Sequence, residues 1–270
     1  MLTSKQLLRP LVVTLSAIVM AVGTLVGFGV IGTSVEESSG GVFAADATLL
    51  TPDSPAFSIW SLIYLGLAGY VIWQWRAVDS PRAAKIAWPA AASMLLNSLW
   101  LAITQTGRLW LSVVVILTLA LVLGVLLQRL GESPPGSRIE AIVVDGTFGV
   151  YLGWVSVASI ANVTVALIGS GFNPEHPWSD VLAVVVLAVA TLLGIVFAVR
   201  LGGRWAISAA MAWALAWIAA GRLAGPLYST PTAVAAIAAI VAIIAANAVV
   251  YRNRSRVLVR SDENGSRLTK

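Results

Sequence analysis

The sequence predicts an all-α membrane protein, a polytopic bundle of about eight transmembrane helices. Of its 270 residues 59% are hydrophobic and only 11% are charged, and the mean hydropathy is +0.90. A water-soluble domain of this length carries far more charge, because its surface must be polar. The chain has no cysteine and a single histidine. Disulfides and thiolate metal sites are thereby excluded, most zinc and Ser-His catalytic arrangements are removed, and we expect no metal site.

Eight apolar runs are each long enough to cross ~30 Å of hydrocarbon at ~1.5 Å per residue. They are predicted at residues 11–31, 57–75, 86–104, 109–127, about 141–168, 181–199, 205–220 and 232–250. The first run is too long for a signal peptide, and the small residues at 42–44 lie too far beyond it for a cleavage site. We therefore expect an uncleaved first helix. The seventh run is short and rich in alanine, so we expect its neighbours to shield it.

Loop charges predict the orientation. Fifteen of the 17 Lys and Arg residues fall on one side if both termini are cytoplasmic, and only Arg108 and Arg222 fall outside. We therefore expect a multi-pass protein of the cell (inner or plasma) membrane with an external loop at 32–55. The basic residues lie at helix ends and in the segment 252–270, which gives no surface for nucleic acid. That segment is predicted to be a basic, disordered cytoplasmic tail that touches anionic lipid.

Aromatic and amide side chains share faces on the second, third and fifth predicted helices. An amide in hydrocarbon must find partners, so such a face turns toward other helices or toward a cavity. The residues alone leave both roles open, joining helices or lining a pocket. The side chains are Phe57, Trp60 and Tyr64 on the second helix, Asn97 and Trp100 on the third, and Tyr151, Trp154, Ala158 and Asn162 on the fifth. Other tryptophans, typical of membrane interfaces, stand at helix ends: Trp73, Trp75, Trp88, Trp110, Trp178 and Trp205.

The same residues form three motifs. The chain reads Phe57-Ser-Ile-Trp60-Ser-Leu-Ile-Tyr64, then Asn97-Ser-Leu-Trp100, then Val150-Tyr151-Leu-Gly-Trp154-Val-Ser-Val-Ala158-Ser-Ile-Ala-Asn162. These resemble F-x-x-W-T-x-L-Y, N-x-x-W and P-Y-L-x-W-V-x-x-A-x-x-L-N of the tryptophan-rich sensory protein, or translocator protein, family (TspO/MBR). The resemblance implies a five-helix bundle over residues 1–168, with residues 169–251 as three additional helices. It also implies that the motif side chains enclose a pocket for tetrapyrroles and other flat hydrophobic ligands.

Asp145 is the acid predicted clearly inside a span, ~9 Å past the cytoplasmic start of the fifth helix. Two roles are open for it. Ionisable side chains inside membranes often carry protons during transport. Alternatively, Asp145 marks the true start of the helix and caps it near the headgroups.

The sequence thus predicts a membrane ligand-binding sensor or receptor, with porphyrin or haem as a ligand rather than as a required cofactor. The alternative is a secondary transporter of a small hydrophobic or anionic solute, built from two four-helix halves. That reading depends on the pairs Trp88 and Trp100, and Trp205 and Trp217, which share a spacing of 12 and are each followed by Gly-Arg-Leu. An enzyme acting on a bound porphyrin is a third reading, but no catalytic set is present. The expected partners are membrane lipid and a small hydrophobic ligand, with a homo-oligomer left open.

Overall fold

The structure is a computed structural model that describes residues 4–27, 29, 33–35, 37–41 and 44–268. Within this part of the chain, eight helices are long and apolar enough to cross a membrane. The prediction of an all-α polytopic bundle is therefore confirmed. The helices are α1 (Ser4–Gly27), α2 (Ile59–Arg76), α3 (Pro81–Thr104), α4 (Leu109–Gly131), α5 (Thr147–Gly169), α6 (Trp178–Arg200), α7 (Trp205–Ala224) and α8 (Thr230–Leu268).

Several helices begin earlier than the apolar runs alone indicated, because polar residues cap their first turns. The Ser80 hydroxyl accepts a hydrogen bond from the Ala83 amide, and Pro81 occupies the first turn, so α3 begins five residues before its predicted start. A 3-10 turn, Ser54–Ser58, leads into α2, and the Asp53 carboxylate accepts from the Ser54 amide. Hydropathy finds where a helix is apolar, whereas these capping groups decide where its backbone begins.

The two ends of the chain differ from the expectation. The predicted end of the first helix, Ile31, lies outside the described residues, and α1 ends at Gly27. Helix α8 continues to Leu268, although the sequence led us to expect no regular structure beyond residue 251. The apolar part of α8 ends near Arg254, so the last turns extend past the membrane-spanning segment.

The first five helices form a closed ring in the order α1, α2, α5, α4, α3, in which each helix packs against the next. Helices α1 and α3 approach closely at small residues. A Cβ at Gly23 would lie 3.0 Å from the Ser98 hydroxyl, and one at Gly27 would lie 2.7 Å from a Leu101 methyl. The first helix is therefore an integral part of the bundle.

The other three helices join the ring through α5, where α7 packs closely on it. The contact depends on Gly149 and Gly153, one turn apart on α5: a Cβ at Gly153 would lie 2.4 Å from the Ile207 carbonyl oxygen. Small residues at this spacing let two helix backbones approach in a membrane. Helix α7 lies between α5 and α8, which agrees with the expectation that its neighbours shield it, and α6 packs mainly on α8.

The predicted pairing of four-helix halves is matched only in part. The packing of α1 on α3 and of α3 on α4 recurs as α5 on α7 and α7 on α8. The close packing of α6 on α8, however, has no comparable counterpart between α2 and α4. The two halves therefore share part of their arrangement without being structurally equivalent.

Candidate functional site

Five aromatic rings of the predicted site meet where α2 faces α5. The Trp60 ring stacks on Tyr64 with centroids 5.4 Å apart, and it meets Tyr151 at 6.0 Å and Trp154 at 6.1 Å edge to face. Phe57 adds an edge contact to Trp154 at 5.6 Å. Each such pair is worth about 0.5–1.5 kcal/mol beyond the burial of its area. The faces predicted on the second and fifth helices therefore lie together as one aromatic cluster.

Amide side chains connect this cluster to α3 and α4. The Trp100 indole donates to Asn162 Oδ1 at 2.8 Å, and Asn162 Nδ2 donates to the Ser112 hydroxyl at 2.8 Å. Asn97 Nδ2 donates to the Tyr64 hydroxyl at 3.2 Å. Asn162 thus joins α3, α5 and α4, which is the helix-joining role that the sequence left open. Ser112, which lies outside the three motifs, completes this chain of bonds and carried no sequence signal of its own.

Two polar atoms of the cluster have no partner among the described residues. They are Trp154 Nε1 and Asn97 Oδ1, on side chains that are 1% and 0% exposed. A buried polar atom without a hydrogen bond is costly, since it has lost water and gained nothing. The packed core of the cluster therefore keeps two polar atoms whose hydrogen bonds are not made within the described residues.

A cavity of about 180 Å³ lies against the cluster, between α1, α2 and α3 and beneath the loop that joins α1 to α2. Phe57, Trp60 and Tyr64 form one of its walls. The other walls were not predicted as site residues and comprise Thr24, Gly27, Ser34, Val35, Ser54 and Leu101. The predicted side chains of α3 and α5 do not line it, because Asn97, Trp100, Tyr151, Trp154 and Asn162 fill the space between their helices as packed core. Ala158 is half-buried against that core.

The loop between α1 and α2, which covers this cavity, is fastened to α7. Arg222, only 1% exposed, donates through Nη1 to the Thr48 carbonyl at 2.5 Å and through Nη2 to the Ala45 carbonyl at 3.2 Å. The Trp213 indole donates to the Ala56 carbonyl at 3.0 Å. Helix α7, which lies outside the five-helix ring, therefore holds in place the loop that covers a cavity of the ring. The sequence placed Arg222 at the outer end of its helix but gave no sign of these backbone partners.

Asp145 belongs to a charged cluster at the opposite end of the bundle. Arg82 of α3 pairs with the Asp145 carboxylate at 2.7 Å and with Glu140 at 2.7 Å, and Arg204 binds the other oxygen of Asp145. The helical backbone runs on from Arg138 through a π turn, Ala141–Gly146, so Asp145 does not cap the helix as one reading supposed. Its carboxylate instead ties α3, α5 and α7 together.

A second ion pair at that end is exposed, with 44% of the Lys85 and 56% of the Glu132 side chain accessible. Lys85 donates to Glu132 at 2.7 Å, and this hydrogen bond, with the charge of Lys85, lowers the pKa of the Glu132 carboxyl. Exposed pairs of this kind contribute little to stability. No group of three or more potential metal ligands occurs in the described part of the chain.

The predicted interfacial tryptophans are mostly exposed, as expected. Trp88, Trp110 and Trp178 are 52%, 50% and 67% exposed. Trp73 differs, because it is half-buried and stacks on the buried Tyr70 ring at 6.0 Å. It is a packing residue, which makes it unsuitable as an interfacial reference.

The family comparison agrees with the motifs. The model of the TSPO-like protein family matches residues 10–251. The match extends through all eight helices, including the three that the motifs of the first five do not cover. No curated protein and no solved structure gives a significant match. This eight-helix chain belongs to the TSPO-like protein family.

Proposed function

We propose that the protein binds a flat hydrophobic ligand, such as a tetrapyrrole, at the cavity between α1, α2 and α3 and acts as a membrane sensor or receptor. The observation that carries this is the wall formed by Phe57 and the stacked rings of Trp60 and Tyr64. A flat aromatic ligand stacks on such rings, and apolar cavities with a few polar groups are typical ligand sites.

The size of the cavity adds a requirement. At about 180 Å³ it is smaller than the ~300–1,000 Å³ of ordinary small-molecule sites. Ser34, Val35 and Ser54, which form its outer wall, belong to the loop rather than to the ring of helices. The ligand therefore enters with an outward movement of this loop, and binding is coupled to the state of the loop. Such coupling is what a sensor needs, because occupancy then changes the outer surface.

The test is a titration of the purified protein with protoporphyrin IX, followed by the porphyrin absorbance. Trp60→Leu removes one stacking surface and should weaken binding about three- to tenfold, the equivalent of about 0.7–1.4 kcal/mol. The matched control is Trp88→Leu, the same substitution at a tryptophan that is 52% exposed on α3 and outside the cavity. If both variants weakened porphyrin binding equally, or if neither weakened it, the aromatic wall would be ordinary packing.

A further inference from the structure

A long apolar crevice runs between α4, α5 and α6. Its volume is about 850 Å³, and it shares no lining residue with the cavity between α1, α2 and α3. It exists because α6 packs on α8 rather than on α4. Gly194 of α6 lies so close to α8 that a Cβ there would be 2.7 Å from an Ile243 methyl. Small side chains of α5, Ser156 and Ser159, form the floor.

The crevice offers an apolar surface with its polar groups already satisfied. Both floor hydroxyls donate to carbonyls of their own helix, Ser156 to Leu152 and Ser159 to Val155, each at 2.7 Å. The α6 wall presents Val189, Leu193, Val196 and Phe197, which recur at helical spacing on one face. Because the floor hydroxyls are satisfied and the walls are apolar, the crevice suits a hydrocarbon chain, which forms no hydrogen bonds.

One end of the crevice is basic. Arg200 and Gln128 lie there, at the same end of the bundle as the charged cluster around Asp145. The nearby acids are already engaged, because Asp145 and Glu140 pair with arginines and Glu132 pairs with Lys85. No acidic side chain pairs with Arg200 within the described residues. An uncompensated guanidinium beside an apolar crevice matches an anionic headgroup attached to an acyl chain.

The length of the crevice fits one leaflet. Leu117 to Gln128 on α4 and Val186 to Arg200 on α6 line it, and these spans measure about 17–21 Å at ~1.5 Å per residue. Half of a ~30 Å hydrocarbon core is ~15 Å. We propose that the crevice is a specific site for an anionic phospholipid, with one acyl chain between α4 and α6 and the phosphate on Arg200. On the predicted orientation this lipid comes from the cytoplasmic leaflet.

Gly124 provides a sharp test, since it lines the crevice and a Cβ there would meet nothing within 4 Å. Gly124→Trp would place an indole ring in the crevice, on a Cβ that itself meets no other atom. Its matched control is Val114→Trp, on the same helix at a position that is 59% exposed and outside the crevice. Arg200→Gln removes the charge, and Arg252→Gln removes an exposed charge of α8 as its control.

The measurement is native mass spectrometry of the full-length protein with phosphatidylglycerol or phosphatidylcholine of the same acyl chains. We expect one retained phosphatidylglycerol per chain, lost in Gly124→Trp but kept in Val114→Trp. Arg200→Gln should weaken phosphatidylglycerol about fivefold, the equivalent of about 1 kcal/mol, and leave phosphatidylcholine unchanged.

Three results would overturn the proposal. Retention of phosphatidylglycerol in Gly124→Trp would show that the lipid lies elsewhere. Equal effects of Arg200→Gln and Arg252→Gln would show only general attraction of anionic lipid to basic residues. Conversion of a dimer to a monomer by Gly124→Trp would identify the crevice as a contact between two copies of the chain. None of these results depends on porphyrin binding, so the two proposals fail separately.

Discussion

Two glycines in the membrane core should respond in opposite ways to the same substitution. Gly153 on α5 faces α7, where an alanine Cβ would lie 2.4 Å from the Ile207 carbonyl oxygen and 2.8 Å from the Ala210 methyl. Gly124 on α4 faces the open crevice, where a Cβ meets nothing within 4 Å. Both lie inside helices, so the change in backbone preference is the same, and only the tertiary contact differs.

The expected magnitudes follow from these distances. Replacing a helical glycine by alanine favours the folded helix by about 0.5–1 kcal/mol, so Gly124→Ala should stabilise the protein by that amount. At Gly153 the methyl must push α7 away from α5, and overpacking of a dense core costs about 1–3 kcal/mol. Gly153→Ala should therefore destabilise the protein, because this cost exceeds the gain from the helix.

The assay is thermal unfolding of the detergent-solubilised protein, followed by tryptophan fluorescence at one fixed heating rate. For a chain of this size, each kcal/mol corresponds to roughly 2–4 °C in Tm. We expect Gly124→Ala to unfold slightly above the wild type and Gly153→Ala several degrees below it. A Gly153→Ala protein as stable as Gly124→Ala would mean that α5 and α7 are not in close contact, and the placement of α6–α8 would have to be abandoned.

Three further predictions concern the ends of the bundle. Arg222→Met removes two charged hydrogen bonds to the loop between α1 and α2, worth roughly 1.5–3 kcal/mol each, so limited proteolysis should cut that loop faster than in the control Arg108→Met. Equal rates of cleavage would contradict the fastening role. Asp145→Asn deprives two arginines of their carboxylate partner and should lower Tm by an amount equivalent to about 3 kcal/mol. If the variant instead kept the wild-type Tm but lost pH-dependent uptake in vesicles, that result would favour the transporter. A reporter fused at Gly40 should be external and one at the carboxy terminus cytoplasmic, so finding both on one side would refute the topology.

Hydropathy alone predicted the number of helices, because each membrane-spanning helix needs about 20 consecutive, mostly apolar residues, which is a local property of the sequence. The sequence also identified the aromatic faces, since helical spacing places Tyr151 and Trp154 on one side of their helix whatever surrounds it. Family membership followed from the same motifs, and the family match agrees with it. These features depend on residues close together in the chain, so no knowledge of the packing was needed.

Only the tertiary structure decided what those faces contact. Asp145 is tied to arginines 63 and 59 residues away in the sequence, and Arg222 to a carbonyl 174 residues away, which no local pattern encodes. The cavity lies beneath the loop between α1 and α2 rather than among α2, α3 and α5, because the large side chains of those helices fill the space between them. Whether an aromatic ring lines a space or fills it depends on the distance between helices. Between α2 and α5 that distance is set by small residues such as Gly66, where a Cβ would lie 2.4 Å from the Thr147 hydroxyl.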